Sequence, residues 1–124
     1  MNNEEYTDFV ATLVKPGQDI IDEMTPSKAH LIHMAMGVAG EAGELLDAIK
    51  KHTMYNKIID FNNIVEELGD IEFYMEAVRE EFGICREECL QANKTKLDKR
   101  YKEKKFSNQQ AHDRADKEIQ RKKY

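Results

Sequence analysis

The 124-residue sequence predicts an all-α fold, a helical bundle of four to five helices, and three observations carry that reading. Apolar residues recur at three-, four- and seven-residue spacings along two long central stretches. Helix start and stop signals stand at the ends of those stretches. No alternating run rich in β-branched residues appears, which leaves no material for a sheet. The length allows one domain, residues 1–124, with its core over about 26–102 and a polar, basic tail over 103–124.

The first element is a short helix from Asn3 to Leu13, closed by Lys15-Pro16-Gly17-Gln18, where proline fixes φ and glycine loosens the chain. Thr25-Pro26 starts a long helix, with Thr as N-cap and Pro at the first helical position, where its missing N–H costs nothing. That helix runs to about His52. Leu31, Met34, Val38, Leu45, Ile49 and His52 form its core side, with Glu41, Glu44, Asp47 and Lys51 on the flank. Asp60 caps a second long helix ending near Phe82, with Ile64, Leu68, Ile71, Met75 and Val78 as its apolar stripe and Gly83 as its left-handed stop. A third helix spans about Cys85 to Tyr101. Ser107 or Asn108 then caps a last polar helix reaching toward Lys122.

Charge is divided unevenly. From Lys94 onward there are 12 Lys+Arg against 5 Asp+Glu, and before it 7 against 19. The acids interleaved with the basic tail, and the lack of an aromatic ladder beside it, argue against nucleic acid as the partner. No window approaches the roughly 20 apolar residues that cross a bilayer, and Met1-Asn-Asn-Glu-Glu is no secretory leader, so a cytoplasmic protein with no membrane partner is expected. Cys85 and Cys89 are the only cysteines and lack the further pair that a zinc site needs; they read as reduced, partly buried thiols.

Two acidic pairs carry the chemistry, Glu41-x-x-Glu44 and Glu67-x-x-Asp70. Residues three apart share a helix face, so each pair presents two carboxylates side by side. Such like charges repel, and packing the two helices together requires a compensating cation. A hard divalent ion suits an all-oxygen set, so Mg²⁺ is favoured, with Mn²⁺ as substitute. A solvated acidic face is the plain alternative for either pair alone. Glycines shift the balance: Gly37, Gly40 and Gly43 surround the first pair and Gly69 lies inside the second, each costing roughly 1 kcal/mol against alanine in a helix. Close helix approach, or room for a ligand, is a physical reason to bear that cost.

Gly37-Val-Ala-Gly-Glu-Ala-Gly-Glu44, Asp47-Ala-Ile-Lys-Lys51 and Glu66-Glu-Leu-Gly-Asp70 resemble the signature of the MazG-like nucleotide pyrophosphohydrolases, of the all-α NTP pyrophosphatase superfamily. The likeness continues through Ile71-Glu-Phe-Tyr74, Asn93 to Tyr101, Phe106-Ser107 and Ala111-His-Asp-Arg114, covering about residues 28–114. It implies that Glu41, Glu44, Glu67 and Asp70 ligate Mg²⁺. Water would attack the α-phosphorus of an NTP or dNTP, giving a nucleoside monophosphate and pyrophosphate. The general base stays unassigned among the four acids.

Lys96 and Arg100, one turn apart, would hold the β- and γ-phosphates, with Asn93 a turn earlier; an exposed basic face is the other reading. Lys51 either approaches the same substrate or satisfies its helix terminus. Tyr74 matches a position where the family often has an aromatic near the nucleoside, and otherwise reads as a core tyrosine. The resemblance further implies a dimer or dimer of dimers. The competing function is a non-catalytic helical module for oligomerisation or regulatory nucleotide binding.

Overall fold

The computed structural model describes residues 1–102, 106–114 and 116, and these form six helices and no strand: α1 (Asn3–Leu13), α2 (Gly17–Glu23), α3 (Pro26–Tyr55), α4 (Phe61–Phe82), α5 (Arg86–Arg100) and α6 (Asn108–Asp113). The all-α expectation holds. The addition is α2: the Pro16-Gly17 break ends α1 but also opens a new turn, since Pro16 needs no N–H at a helix start and its carbonyl accepts from Asp19 at 3.1 Å. No helix among the described residues is long and apolar enough to cross a membrane.

The chain divides into two compact units, Met1–Ile71 and Glu72–Tyr124, the division falling within α4. In the first unit the Thr25 side chain accepts from the Lys28 amide at 3.2 Å and opens the 30-residue α3. The helix runs three residues past His52 to Tyr55 because Asn56 turns left-handed (φ 54°), the Lys57 N–H returns to the Lys51 carbonyl at 3.1 Å, and His52 Nδ1 bonds the Lys57 carbonyl at 2.9 Å. Asp60 Oδ1 accepts from the Asn63 amide at 3.1 Å and so caps α4 as expected.

The least exposed side of α3 follows Leu31, Met34, Val38, Glu41, Leu45 and Ala48, alternating steps of three and four. On α4, Ile64, Glu67 and Ile71 repeat those steps. This is the spacing of two helices packed with a slight supercoil. Glu41, expected on the flank, therefore stands in the apolar line itself. Of the stripe expected as core, Met34 is buried at 7 % exposure, Leu31, Val38 and Leu45 are half-buried, and Ile49 and His52 are exposed. On α4, Leu68 is likewise exposed. A second line along α3, Ile32, Met36, Ala39, Gly43 and Leu46, is exposed throughout, with Met36 at 65 % and Leu46 at 67 %.

In the second unit Gly83 is left-handed (φ +64°), and the Ile84 N–H bonds the Arg79 carbonyl at 2.9 Å, ending α4 where the glycine predicts. Arg79, only 12 % exposed, binds Glu76 at 2.7 Å and Glu72 at 3.5 Å and ties this part of α4 together. Cys85 N-caps α5 in a reciprocal box with Glu88. Both cysteines are free as expected, but both are exposed, because they stand on the first turn of α5, where no other described element covers them. Ser107 Oγ accepts from the Gln110 amide at 3.0 Å and caps α6, which stops at Asp113 before a left-handed Arg114 (φ 48°). The expected continuation toward Lys122 falls on residues 117–124, outside the described residues.

Candidate metal centre

Glu41 and Glu67 occupy successive places in apolar lines, on α3 and α4, and the meeting of those lines brings their carboxyls together inside the first unit. One carboxylate oxygen each from Glu41, Glu67 and Asp70 lie within 4.8 Å of one another. Glu41 and Glu67 are half-buried, while Asp70, one turn on from Glu67, is exposed. Glu44 is exposed, one turn on from Glu41 and outside the three-oxygen group, yet its charge acts on Glu67.

Glu67 is the most perturbed acid of the cluster, its carboxyl pushed up to about 7. The largest cause is a hydrogen bond with Glu41, followed by burial and by the negative charges of Glu41, Glu44 and Asp70. Glu67 Oε2 is enclosed and has no donor, for a neighbouring carboxyl supplies one only when protonated. An enclosed acceptor facing two further carboxylates calls for a proton or a cation. Oxygens sharing an octahedral Mg²⁺ at 2.0–2.1 Å lie about 3 Å apart when adjacent and about 4.2 Å apart when opposite, so the three carboxylate oxygens would draw closer together around an ion. The donors are all oxygen, as a hard cation requires, and the residues fit it.

The glycines beside these acids are uncrowded: a Cβ built at Gly40, Gly43 or Gly69 meets nothing within 4 Å. Close approach of α3 and α4 is thus not what the chain gains from Gly40, Gly43 and Gly69.

Lys51 pairs with Asp47 at 3.0 Å, both well exposed, and that hydrogen bond and charge hold its ammonium above the usual range. In the second unit Tyr74 is half-buried and meets Phe73 edge-on at 5.2 Å. On α5, Asn93 is exposed and Lys96 and Arg100 are half-buried, one turn apart. Arg100 Nε donates to Asp116 Oδ1 at 3.3 Å, and its guanidinium lies 6.0 Å from the Tyr101 ring. Sequence reasoning passed over Asp116. An acid in a basic tail is the one signal present, and its partner is 16 residues away.

The fold and the carboxylate group define a class: an all-α protein with an oxygen-only centre suited to a hard divalent cation. The family then follows from comparison. The model of the MazG nucleotide pyrophosphohydrolase domain matches residues 30–105, more than half of the chain, and the chain belongs to that family. A search of curated proteins found no match, and neither did a search of solved structures.

Proposed function

We propose that this protein is a Mg²⁺-dependent nucleoside triphosphate pyrophosphohydrolase, with residues 1–124 acting as one domain and Mn²⁺ as a substitute ion. The observation that carries the reading is Glu67, whose Oε2 is enclosed and donorless and whose carboxylate groups with those of Glu41 and Asp70 within a MazG nucleotide pyrophosphohydrolase domain. Glu41, Glu67 and Asp70 would hold the ion, with Glu44 completing the set from the next turn. When bound, Mg²⁺ neutralises charge on phosphate oxygens and lowers the pKa of water toward neutrality.

The chain's own residues supply the rest. A cluster carboxylate takes the proton of the attacking water. The water oxygen bonds to the α-phosphorus, the bond from that phosphorus to the bridging oxygen breaks, and pyrophosphate leaves with the electron pair. Lys96 and Arg100 hold the β- and γ-phosphates, a compact charge beside a planar fork, with Asn93 as a further donor. Tyr74 stands by the nucleoside. Lys51, engaged with Asp47, adds positive charge beside the acidic group.

We further propose a homo-oligomer. The exposed line Ile32, Met36, Ala39, Gly43 and Leu46 has the spacing of a second packing face, and a single chain that buries only Met34 among its described apolar residues has little core of its own. The reaction is tested by incubating the purified chain with each NTP and dNTP in Mg²⁺, with an EDTA control and the Glu41→Gln and Asp70→Asn variants. Monophosphate plus pyrophosphate, lost in both variants and in EDTA, supports the enzyme. Orthophosphate, or no turnover on any nucleotide, transfers the reading to a non-catalytic module.

A further inference from the structure

Three cations, Lys96, Lys99 and Arg100, fall at i, i+3 and i+4 on α5 and so share one side of the helix. Lys96 and Lys99 line a cavity of about 770 Å³ with Glu87, Glu88, Thr95 and Asp116, while Arg100 stands behind Asp116 and outside that lining; Asp116 comes from beyond the stretch matched by the family model. Asp116 is 6 % exposed and its partner Arg100 16 % exposed, by far the least exposed of the cation–carboxylate pairs among the described residues. Enclosing such a pair costs desolvation that attraction alone often fails to recover, so the pair is poorly explained as a stabilising device.

Its geometry suggests another use. Asp116 takes the Nε edge through a single contact of 3.3 Å rather than the two-pronged grip open to a carboxylate. A guanidinium has five N–H donors, and the Nε contact uses one while fixing the plane of the others. A long side chain held in this way gives up its rotamer freedom before any ligand arrives.

We propose that Asp116 is a positioning residue: it orients the Arg100 guanidinium so that its Nη side receives the terminal phosphates of a polyphosphate ligand. The inference rests on the triphosphate reading above and extends the functional chain past the family match. Asp116 does not touch the ligand; it acts through Arg100.

The test is calorimetric binding of inorganic tripolyphosphate to the full chain in Mg²⁺. Arg100→Ala and Asp116→Ala are each expected to weaken Kd about tenfold, and the double variant no further than Arg100→Ala alone. Asp116→Asn keeps an oxygen for Nε and stays within about threefold of the parent, whereas Asp116→Glu keeps the charge, displaces it by one methylene and weakens binding. These two variants decide the matter even where Asp116→Ala does not fold. Tighter binding in Asp116→Asn or Asp116→Ala would make Asp116 a competitor of phosphate and overturn the proposal. So would additive losses in the double variant, or no binding by the parent chain. Unchanged affinity in Arg100→Ala overturns it while leaving the enzyme reading intact, since that stands on pyrophosphate release and the Glu41→Gln variant. The expected binding pattern without turnover on any nucleotide removes the enzyme reading and keeps Asp116.

Discussion

One carboxylate oxygen each of Glu41 on α3 and Glu67 on α4 lie within 4.8 Å of each other, and Glu67 Oε2 is enclosed with no hydrogen-bond partner. Two ionised carboxylates at that separation repel, so in the metal-free chain one holds a proton, the preference falling on the more enclosed Glu67. A divalent cation removes the need for that proton.

Stability and metal affinity therefore depend on pH in opposite directions. With the folded carboxyl of Glu67 near 7 and its ordinary value at 4.5, the folded state binds more protons than the unfolded one between those values. The metal-free protein is expected to lose stability as pH rises from about 4.5 to about 7 and then to level off. Mg²⁺ binding below pH 7 should release a proton and weaken as the pH falls. Thermal unfolding from pH 4.5 to 8.5 in EDTA and in Mg²⁺, with calorimetry in two buffers of different ionisation enthalpy, checks both. Stability in EDTA that rises through this window would contradict the assignment.

Glu67→Gln should separate stability from function. The amide donates to Glu41 at any pH and carries no charge, so the variant is expected to be more stable than the parent in EDTA at pH 8. It should also lose a ligand at the centre of the carboxylate group, with turnover falling on the order of a hundredfold or more. Paired measurements of unfolding temperature in EDTA and pyrophosphate release in Mg²⁺ decide it.

Met34 is the one buried apolar side chain among the described residues, one turn before Val38 in the line that leads to Glu41. Met34→Ala is expected to cost about 2–3 kcal/mol in urea unfolding, from lost transfer and the cavity left behind. Ile49→Ala, on an exposed position of the same helix, should cost less than half of that.

The exposed line on α3 predicts association. Leu46→Glu places a charge at a position 67 % exposed in the single chain, so it should barely disturb an isolated protomer. It is expected to shift size-exclusion elution and light-scattering mass toward the protomer by desolvating a charge at the shared face. Unchanged mass in Leu46→Glu and in Met36→Lys would exclude this face from the interface.

Apart from α2, the element order was readable because its signals are local. Thr25 and Asp60 each accept from the amide three residues on, and Gly83 stops α4 through its own φ, so caps predicted from residue type recur as hydrogen bonds and dihedrals. The acidic pairs were legible for the same reason, since three-residue spacing sets two side chains on one face before any packing occurs. The misreadings are non-local. Whether Glu41 lies on a flank or within the apolar line depends on which side of α3 meets α4, an angle that one residue of drift in the pattern conceals. The exposed cysteines, the uncrowded glycines and the exposed Ile49 and Leu68 all follow from how little of each helix a single chain covers.

By itself, then, the sequence determined five of the six helices among the described residues, the caps at Thr25 and Asp60, the stop at Gly83 and the two carboxylate pairs, because hydrogen bonds and sterics within a few residues decide those features. Only the tertiary structure decided that Glu41, Glu67 and Asp70 converge while Glu44 stands aside, that Glu67 is the acid held near neutrality, and that Asp116 holds Arg100. Those outcomes depend on enclosure and on contacts between residues far apart in the chain, and desolvation and charge interaction act through space rather than along the sequence.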